Sequence, residues 1–200
     1  PVISADGRYV AFASAADNLV PGDTNGESDV FVFDRQTETL TLASRAPGVD
    51  GIVGNGYSGS PALVADGLAV IFESSATNLG PIVPAGVSQI YGRDLETHAH
   101  YLLSRASGPD GAAGNLSSEE PSIAADGDRI VFESFANNLV PDDTNDSLDV
   151  FVYDFDTQTT TLITRAAGSG GPVGNAGGYS PAISGDGNWV TYTSESTNLL

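Results

Sequence analysis

Polar and apolar residues alternate along short segments of the chain, and the alternation returns at regular intervals. The clearest segments read RYVAFAS from Arg8, LAVIFES from Leu68, DRIVFES from Asp128 and NWVTYTS from Asn188. Successive residues of a β-strand point to opposite faces of its sheet, and here both sets are often apolar, so these strands are covered on both faces. No segment has helical periodicity, so the pattern predicts an all-β chain.

The repeat has a constant length. PVISADG, PALVADG, PSIAADG and PAISGDG begin at Pro1, Pro61, Pro121 and Pro181, a period of 61 − 1 = 60 residues without insertion. Asp-Gly pairs such as Asp6-Gly7 supply the positive φ of a tight turn between the first two strands. Four strands are predicted per repeat, and in the first they are Val2 to Ser4, Arg8 to Ser14, Asp29 to Asp34 and Thr39 to Ser44.

Four antiparallel strands in one sixty-residue repeat fit one blade of a β-propeller, whereas this repeat is too long for a β-solenoid coil. The predicted divisions are 1–60, 61–120 and 121–180 for blades 1 to 3, and 181–200 for the first two strands of blade 4. Closed propellers have about four to eight blades, so we expect an incomplete propeller that forms an open arc. Its uncovered strand edges predict self-association. The absence of Met predicts an excerpt or a processed product.

Composition adds a strong negative charge. The 26 acidic residues outnumber seven basic ones, all of them Arg, and give a formal charge of −19. Such a field repels nucleic acid and anionic membranes and favours cations, although a solvated acidic surface without any ligand is an equally simple reading. The chain has no Cys, which excludes disulfides and thiol chemistry, and no apolar run predicts membrane insertion.

The connections after the second and fourth strands are long, roughly Ala15 to Ser28 and Ala46 to Ser60 in blade 1. In an antiparallel meander these two connections share one rim, while the tight turns share the other. We call the first the long-loop rim and the second the tight-turn rim. Long loops gathered on one rim predict a binding face there, for a protein or glycan ligand.

The loop after the second strand carries the most specific chemical signal, GDTNGESD in blade 1 and DDTNDSLD in blade 3. Oxygen-bearing residues occupy every second position, as in calcium-binding loops. The alternative is that Asp and Asn form Asx-turns without any ion. Blade 2 has GPIVPAGVSQ here, without a carboxylate. The candidate calcium ligands are Asp23, Asn25, Glu27, Asp29, Asp143, Asn145, Ser147 and Asp149.

Other repeated or isolated polar residues favour structural roles. Asn55 follows Gly54 in the second long loop, and its copies in the other blades predict hydrogen bonds between adjacent blades. Arg45 and its copies Arg105 and Arg165 predict ion pairs with a repeated carboxylate such as Asp34, Asp94 or Asp154. His98 and His100 have no counterparts in the other blades, so we expect exposed surface histidines rather than a zinc site.

No catalytic site is predicted. GYSGS and GYSPA both fail the G-x-S-x-G motif of a nucleophile elbow, and the two histidines offer no plausible base. Carboxylate pairs are too numerous in so acidic a chain to single out an acid and a base.

The string SPAISGDGNWVTYTS, with NLVPGDTNGESDVFVFD in blade 1 and NLVPDDTNDSLDVFVYD in blade 3, resembles the TolB-like propeller repeats, relatives of the WD-repeat blades. That family's signature is reproduced by Pro181, Ser184, Asp186, Gly187, Tyr192 and Ser194, and the longer loops depart from it. The resemblance implies an exported bacterial protein, secreted, periplasmic or at the cell surface. It does not imply an activity. We expect a non-catalytic interaction scaffold or, alternatively, the propeller portion of a larger hydrolase or lyase.

Overall fold

The chain forms short antiparallel strands. The computed structural model describes residues 1–167 and 170–199. Within these ranges, no helix is long and apolar enough to cross a membrane. The strands are β1 (Val2–Ile3), β2 (Tyr9–Ser14), β3 (Asp29–Asp34), β4 (Thr39–Leu42), β5 (Ser58–Leu63), β6 (Ala69–Ser74), β7 (Gln89–Asp94), β8 (His100–Leu102), β9 (Ser118–Ile123), β10 (Arg129–Ser134), β11 (Asp149–Asp154), β12 (Thr159–Leu162), β13 (Gly178–Ile183) and β14 (Val190–Ser194).

These strands form four separate sheets in which each strand pairs with its neighbour in sequence. Strands β1 to β4 make blade 1, β5 to β8 blade 2, β9 to β12 blade 3, and β13 pairs with β14 in blade 4. Blade 1 packs on blade 2, blade 2 on blade 3, and blade 3 on blade 4. The prediction of propeller blades in an open, incomplete arc is confirmed.

The core lies between the blades, as expected for sheets that are apolar on both faces. Ala11, Val30 and Val32 of blade 1 pack against Phe72 and Tyr91 of blade 2, and all five are buried. Alternate residues of blade 2 point the other way, toward blade 3. That second core is built at equivalent positions by Ile71, Ile90, Ile130, Phe132 and Phe151.

The innermost strands begin earlier than the repeat pattern indicates. β5 begins at Ser58, three residues (61 − 58) before the predicted boundary at Pro61. The register shifts between Gly59 and Ala62, and Ser60 has a φ of 45°. This bulge takes Pro61 out of the ladder, which explains how a proline without an N–H lies inside a strand.

The Asp-Gly turns at the tight-turn rim form as predicted. Gly7 has a φ of 72°, and the Asp6 carboxylate accepts a hydrogen bond from the Arg8 N–H at 2.9 Å. Backbone hydrogen bonds also join successive turns, since the Ala5 N–H donates to the Ala65 carbonyl at 2.9 Å and the Ala65 N–H donates to the Ala125 carbonyl at 3.0 Å. Consecutive blades are therefore tied together at this rim as well as through their cores.

Candidate functional site

The two long loops of a blade meet at the long-loop rim. The Asn25 side-chain amide donates to the Gly54 carbonyl at 2.8 Å, and its copy Asn145 donates to the Gly174 carbonyl at 2.9 Å. The loop after the second strand is therefore fixed to the loop after the fourth strand in blades 1 and 3.

Asn55 joins the long loop of blade 1 to blade 2. Its backbone N–H donates to the Asn78 side chain at 2.9 Å, and its side-chain oxygen accepts from the Thr77 N–H at 2.7 Å. Asn115 and Asn175 make the same contacts with the next blades. The predicted structural role between blades is confirmed for all three residues.

Part of the second long loop leaves the long-loop rim. Arg45 and Val53 form an antiparallel bridge, and at the far end of this hairpin the Gly48 N–H donates to the carbonyl of His98 at 3.1 Å. His98 lies in the turn between β7 and β8, at the tight-turn rim of blade 2. The hairpin therefore runs along the outer strands of the next blade, and the exposed long-loop face is narrower than the sequence suggests.

A buried arginine holds this hairpin in place. Arg93 is 1% exposed, and its guanidinium donates to the carbonyls of Arg45, Ala46 and Gly48 at 3.0, 3.3 and 3.0 Å. Desolvation lowers the pKa of Arg93 to about 10, with a further contribution from the charge of Arg45. No carboxylate pairs with Arg93 in the described part of the chain, so three backbone dipoles stabilise its charge.

The predicted ion pairs of Arg45, Arg105 and Arg165 with Asp34, Asp94 and Asp154 are wrong. Asp34 pairs with Arg8 at 2.6 Å, and Asp154 pairs with Arg129 at 3.2 Å. Arg45 and Arg105 instead donate to carbonyls of their own hairpins, and Arg165 pairs with Asp142 at 2.8 Å. The repeated arginines lie at the start of the hairpins, whereas Asp34 and its copies lie at the opposite ends of the blades.

The acidic loop of blade 1 places two carboxylates below the surface. Asp23 is 6% exposed and Asp29 is fully buried. The Asp29 carboxylate accepts from the Ser44 hydroxyl at 2.5 Å and from the Asn25 amide at 2.7 Å. Burial raises the pKa of Asp29, and the charges of Asp23 and Glu27 add to that rise. The two aspartates therefore form a buried like-charge pair.

Blade 3 contains the same pair with fewer hydrogen bonds. Asp149 is fully buried and accepts from the Thr164 hydroxyl, and Asp143 is 7% exposed. Asp143 Oδ1 and Asp149 Oδ2 are buried and accept no hydrogen bond from the described residues. Desolvation and the charge of Asp149 raise the pKa of Asp143 to about 6.

Blade 2 fills the equivalent positions with neutral side chains. Val83 replaces Asp23 and is just as buried, while Gln89 replaces Asp29 and is fully buried. The Gln89 amide donates to the Gly114 carbonyl at 3.0 Å, and its oxygen accepts from the Ser104 hydroxyl at 2.7 Å. One glutamine thus makes the loop contact that Asn25 and Asp29 make together in blade 1.

The other candidate ligands are placed differently. Asn25 and Asn145 use their oxygens as Asx-turn acceptors, from the N–H groups of Glu27 and Ser147 at 2.9 and 3.0 Å. Glu27 is exposed. Within residues 1–167 and 170–199, no group of three or more His, Cys, Asp or Glu side chains is placed to hold a metal ion. A cation at either pair would take its other ligands from carbonyls or water.

Sequence reasoning missed the hydroxyl groups that position the paired carboxylates. Ser44, Ser104 and Thr164 each donate to residue 29, 89 or 149 and accept from the next backbone N–H, that of Val30, Ile90 or Val150. The signal was present in the sequence, because a hydroxyl residue recurs at this place with the 60-residue period.

A polar groove of about 370 Å³ lies beside the blade 1 pair, between its two long loops. Thr24 and Asn25 line one side, and Asp50, Ile52 and Asn55 line the other. Ile52 is 67% exposed. The groove thus offers backbone polar groups, a carboxylate and an apolar side chain together.

The histidines are not exposed surface residues as predicted. The ring of His100 lies 5.8 Å from the ring of Phe72 and 5.7 Å from that of Tyr91, inside the interface between blades 1 and 2. Desolvation lowers the pKa of His100 to about 4. His100 is a half-buried, neutral residue, at a position that is Leu40 in blade 1.

Comparison with known proteins gives a fold and no closer relationship. No protein-family model matches the chain, and no curated protein matches its sequence. TolB from Acinetobacter baumannii matches 98% of this chain at 19% identity and a TM-score of 0.55. TolB from Agrobacterium tumefaciens matches 96% of this chain at 20% identity and a TM-score of 0.53. An oligogalacturonate lyase from Vibrio parahaemolyticus matches 97% at 13% and 0.53. The chain covers 37%, 57% and 44% of those proteins, and its fold is that of the TolB-like propellers.

Proposed function

We propose that this chain is a non-catalytic binding scaffold of an exported bacterial protein. Its long-loop rim is the binding face for a protein or glycan, and calcium bound at the carboxylate pairs of blades 1 and 3 orders that face. The observation that supports this most directly is the contrast at two buried positions, where blades 1 and 3 carry paired aspartates and blade 2 carries Val83 and Gln89.

The calcium proposal follows from the cost of the pairs. Burying two like charges together is unfavourable unless a counter-charge is present, and blade 2 folds the same way with neutral residues. In blade 3, two carboxylate oxygens are buried without a hydrogen-bond donor from the described residues. A hard divalent cation would supply both the missing ligand and the missing charge.

The calcium test is a titration of metal-free protein with calcium, in which calorimetry measures the heat of binding and thermal unfolding measures the melting temperature. Two sites and a higher melting temperature are expected. Replacing both acids of blade 3 with the blade 2 residues, Asp143→Val with Asp149→Gln, should leave one site. The control Asp17→Asn removes one exposed carboxylate outside both pairs and should leave two. If wild-type protein shows neither a heat of binding nor a shift in melting temperature, calcium binding is excluded.

The binding-face proposal is supported by the groove and by exposed apolar residues on the same rim. Ile52 lines the groove, and Ile82 in the acid-free loop of blade 2 is 97% exposed. Isolated exposed apolar residues are common, but two in long loops beside polar backbone are typical of a recognition surface.

Arrays of glycans and of extracellular proteins test this face. We expect hits that are lost with Ile52→Ser or Asp50→Asn in the groove and kept with Glu96→Gln at the tight-turn rim. These point changes are preferable to shortening the loop, because Gly48 and its neighbours anchor the hairpin to blade 2. Hits that survive both groove variants would place the binding face elsewhere.

A second function is supported by the comparison with enzymes. Besides the lyase, a prolyl endopeptidase matches 84% of this chain at 12% identity and a TM-score of 0.51, although the chain covers 22% of that protein. In this alternative the chain is the propeller portion of a larger hydrolase or lyase whose catalytic residues lie outside it. The full reading frame distinguishes the two, since a catalytic domain would favour the enzyme.

We also expect self-association of this chain through strand edges. Strand β14 pairs with β13 on one side and has no second partner in the described part of the chain, and the neighbouring Trp189 is 74% exposed. Such an edge is a template for another strand. Light scattering should show oligomers that increase with concentration, and a monodisperse monomer would contradict this expectation.

A further inference from the structure

A second cavity lies at the opposite end of the molecule from the long loops. It has a volume of about 500 Å³ and opens at the tight-turn rim between blades 2 and 3. Ile71 and Leu103 of blade 2 and Ile123 and Ile130 of blade 3 form its apolar walls. This volume is within the usual range of small-molecule sites. We call it the blade 2–3 cavity.

Two residues that line the cavity are smaller in blade 2 than at the same places in the other repeats. Val32 and Val152 face the next blade, and their equivalent in blade 2 is Gly92. A Cβ on Gly92 would lie 3.2 Å from Leu103 Cδ1 and 3.7 Å from Ile71 Cγ2, so these two side chains form the cavity wall beside Gly92. The flanking blades keep valine at this position.

The second reduction is at Ala69, which corresponds to Tyr9 in blade 1 and Arg129 in blade 3. Tyr9 covers the next blade's turn so closely that a Cβ on Gly67 would overlap its ring. Arg129 likewise lies over Gly187 in blade 4, 3.2 Å from where a Cβ would be. Ala69 is too short to cover the equivalent turn of blade 3. There Val64 Cγ1 lies 3.0 Å from where a Cβ on Gly127 would be, and both residues line the cavity.

The outer wall of the cavity is an aromatic pair. Tyr101 of blade 2 and Phe155 of blade 3 meet edge to face with ring centroids 5.0 Å apart. Both rings are partly exposed, at 40% and 38%. Blades 1 and 3 have Thr41 and Thr161 in place of Tyr101. Aromatic faces at a cavity mouth are favourable contacts for an organic cation.

The mouth of the cavity is strongly acidic. The charges of Asp126 and Asp156 raise the pKa of Asp128, and the charge of Arg129 opposes part of that rise. None of the mouth carboxylates forms an ion pair within the described ranges. Six carboxylates line it, from four separate turns: Asp66, Asp94, Glu96, Asp126, Asp128 and Asp156.

The nearest cations are engaged elsewhere. Arg93 contributes to the lining, but its guanidinium lies on the opposite face of blade 2, against the carbonyl of Arg45. Arg129 pairs with Asp154 and also donates to the Gly187 carbonyl, on the side of blade 4. The mouth is therefore negative without an internal counter-charge.

We propose that the blade 2–3 cavity binds a small organic cation, an ammonium or guanidinium that carries an apolar chain or ring. The apolar part lies between the apolar walls, beside Gly92 and Ala69, and the charged end lies among the mouth carboxylates beside Tyr101. The site is independent of the long-loop rim and of calcium.

Other ligand classes fit this cavity less well. The negative charge of the mouth repels anions, and a neutral apolar molecule would leave the charge of the mouth carboxylates unbalanced. The carboxylates come from separate turns around an apolar space, and in the described residues no three acidic or histidine side chains are placed to share a metal ion. The combination of apolar walls and acidic mouth selects an amphipathic cation.

The test uses phenethylamine, which is a cation at neutral pH, and its neutral analogue 2-phenylethanol. Binding to the wild-type chain is followed at low salt by shifts of backbone amide NMR signals. We expect saturable binding of the amine, with shifts at residues 66–69, 92–94 and 126–128. The alcohol should bind at least tenfold more weakly, and salt at about 0.5 M should weaken amine binding several-fold by screening the charges.

Two kinds of variant locate the site. Gly92→Val restores the residue of the other repeats and should reduce amine affinity at least tenfold, and Ala69→Tyr serves as a second cavity-filling change. Asp128→Asn and Asp156→Asn should each weaken amine binding about threefold while melting temperature stays close to wild type. The matched control Asp17→Asn, an exposed acid at the other rim, should bind the amine as the wild type does.

Equal affinity for the amine and the alcohol would overturn the proposal. So would unchanged amine binding in both folded cavity-filling variants, or the same loss in Asp17→Asn as in Asp128→Asn.

Discussion

Blades 1 and 2 fix the same pair of loops with different chemistry. In blade 2, Gln89 spans the distance to the Gly114 carbonyl by itself and remains neutral. In blade 1, the shorter Asp29 needs the Asn25 amide as an intermediate, and it brings a charge that faces Asp23. Since both blades bury these positions to the same extent, the acidic version is not needed to form a blade.

This difference separates what the fold requires from what a ligand would require. The fold requires an acceptor for the hydroxyl of residue 44, 104 or 164 and a donor for the loop carbonyl, and both versions supply them. The second carboxylate, Asp23 or Asp143, contributes neither, and blade 2 replaces it with a buried valine. The surplus carboxylate is therefore the part of the loop that most clearly favours a bound cation.

Removing the hydroxyl that binds residue 29 or 89 should lower the free energy of unfolding more than any other change predicted here. The loss should be larger in blade 1, where the partner is a carboxylate, than in blade 2. Ser44→Ala leaves the fully buried Asp29 carboxylate without one donor and Val30 without an acceptor, at a cost of about 3 kcal/mol. Ser104→Ala, whose partner is the neutral Gln89, should cost about 2 kcal/mol. Urea unfolding measures both. A greater loss for Ser104→Ala would contradict the distinction between the blades.

Transplanting the neutral version should stabilise metal-free protein. Asp143→Val with Asp149→Gln removes a buried like-charge pair, so we expect a gain of about 1 to 2 kcal/mol in the absence of calcium. Thermal unfolding in a chelator measures it, and Asp17→Asn is the matched control. A loss of stability would contradict the prediction that the two buried carboxylates of blade 3 destabilise the metal-free protein.

The pH dependence of metal-free protein should reflect Asp143. Its pKa of about 6 in the folded chain lies above the ordinary value of 3.8, so the folded state holds the proton more tightly. That contribution to stability is complete below about pH 4 and is lost as pH rises toward 6. Between about pH 4 and pH 6, the free energy of unfolding should therefore fall more steeply with pH for wild type than for Asp143→Asn. Equal slopes would contradict the raised pKa.

The smallest effect concerns a loop residue with left-handed backbone. Asp146 has a φ of 50°, and the equivalent residues are Gly26 and Gly86, at 72° and 75°. Glycine adopts this conformation without strain, so Asp146→Gly should stabilise blade 3 by about 0.5 kcal/mol. The melting temperature measures this, with Asp110→Gly as a loop control. A destabilised Asp146→Gly variant would indicate that the Asp146 carboxylate has a role in the loop.

The repeat predicted most of the fold because each 60-residue unit forms one blade and packs on the next blade in the same way. Strand β3 has the predicted bounds, Asp29 to Asp34, and the turn at Gly7 has the predicted positive φ. The start of β5 was missed because Pro61 reads as the first residue of a strand, whereas a bulge at Ser60 lets the strand begin earlier. Bulges depend on register between strands, which spacing alone does not reveal.

The sites were less predictable because they depend on contacts across loops and blades. The sequence placed Asp23 and Asp29 in one loop, but it did not reveal that Asn25 turns its amide toward Gly54. The partner of Asp34 was missed because Arg8 recurs in no other blade, so periodicity gives no signal. The blade 2–3 cavity had a readable signal, since Gly92 interrupts a position that is valine in both neighbouring blades.

A crystal structure of the chain grown with calcium tests the central claim most directly. The account predicts an ion between Asp143 and Asp149 and another between Asp23 and Asp29, each with oxygen ligands at about 2.3 to 2.6 Å. It predicts none at Val83 and Gln89. Carboxylate pairs joined only by water or by protein hydrogen bonds, in crystals grown at millimolar calcium, would contradict it.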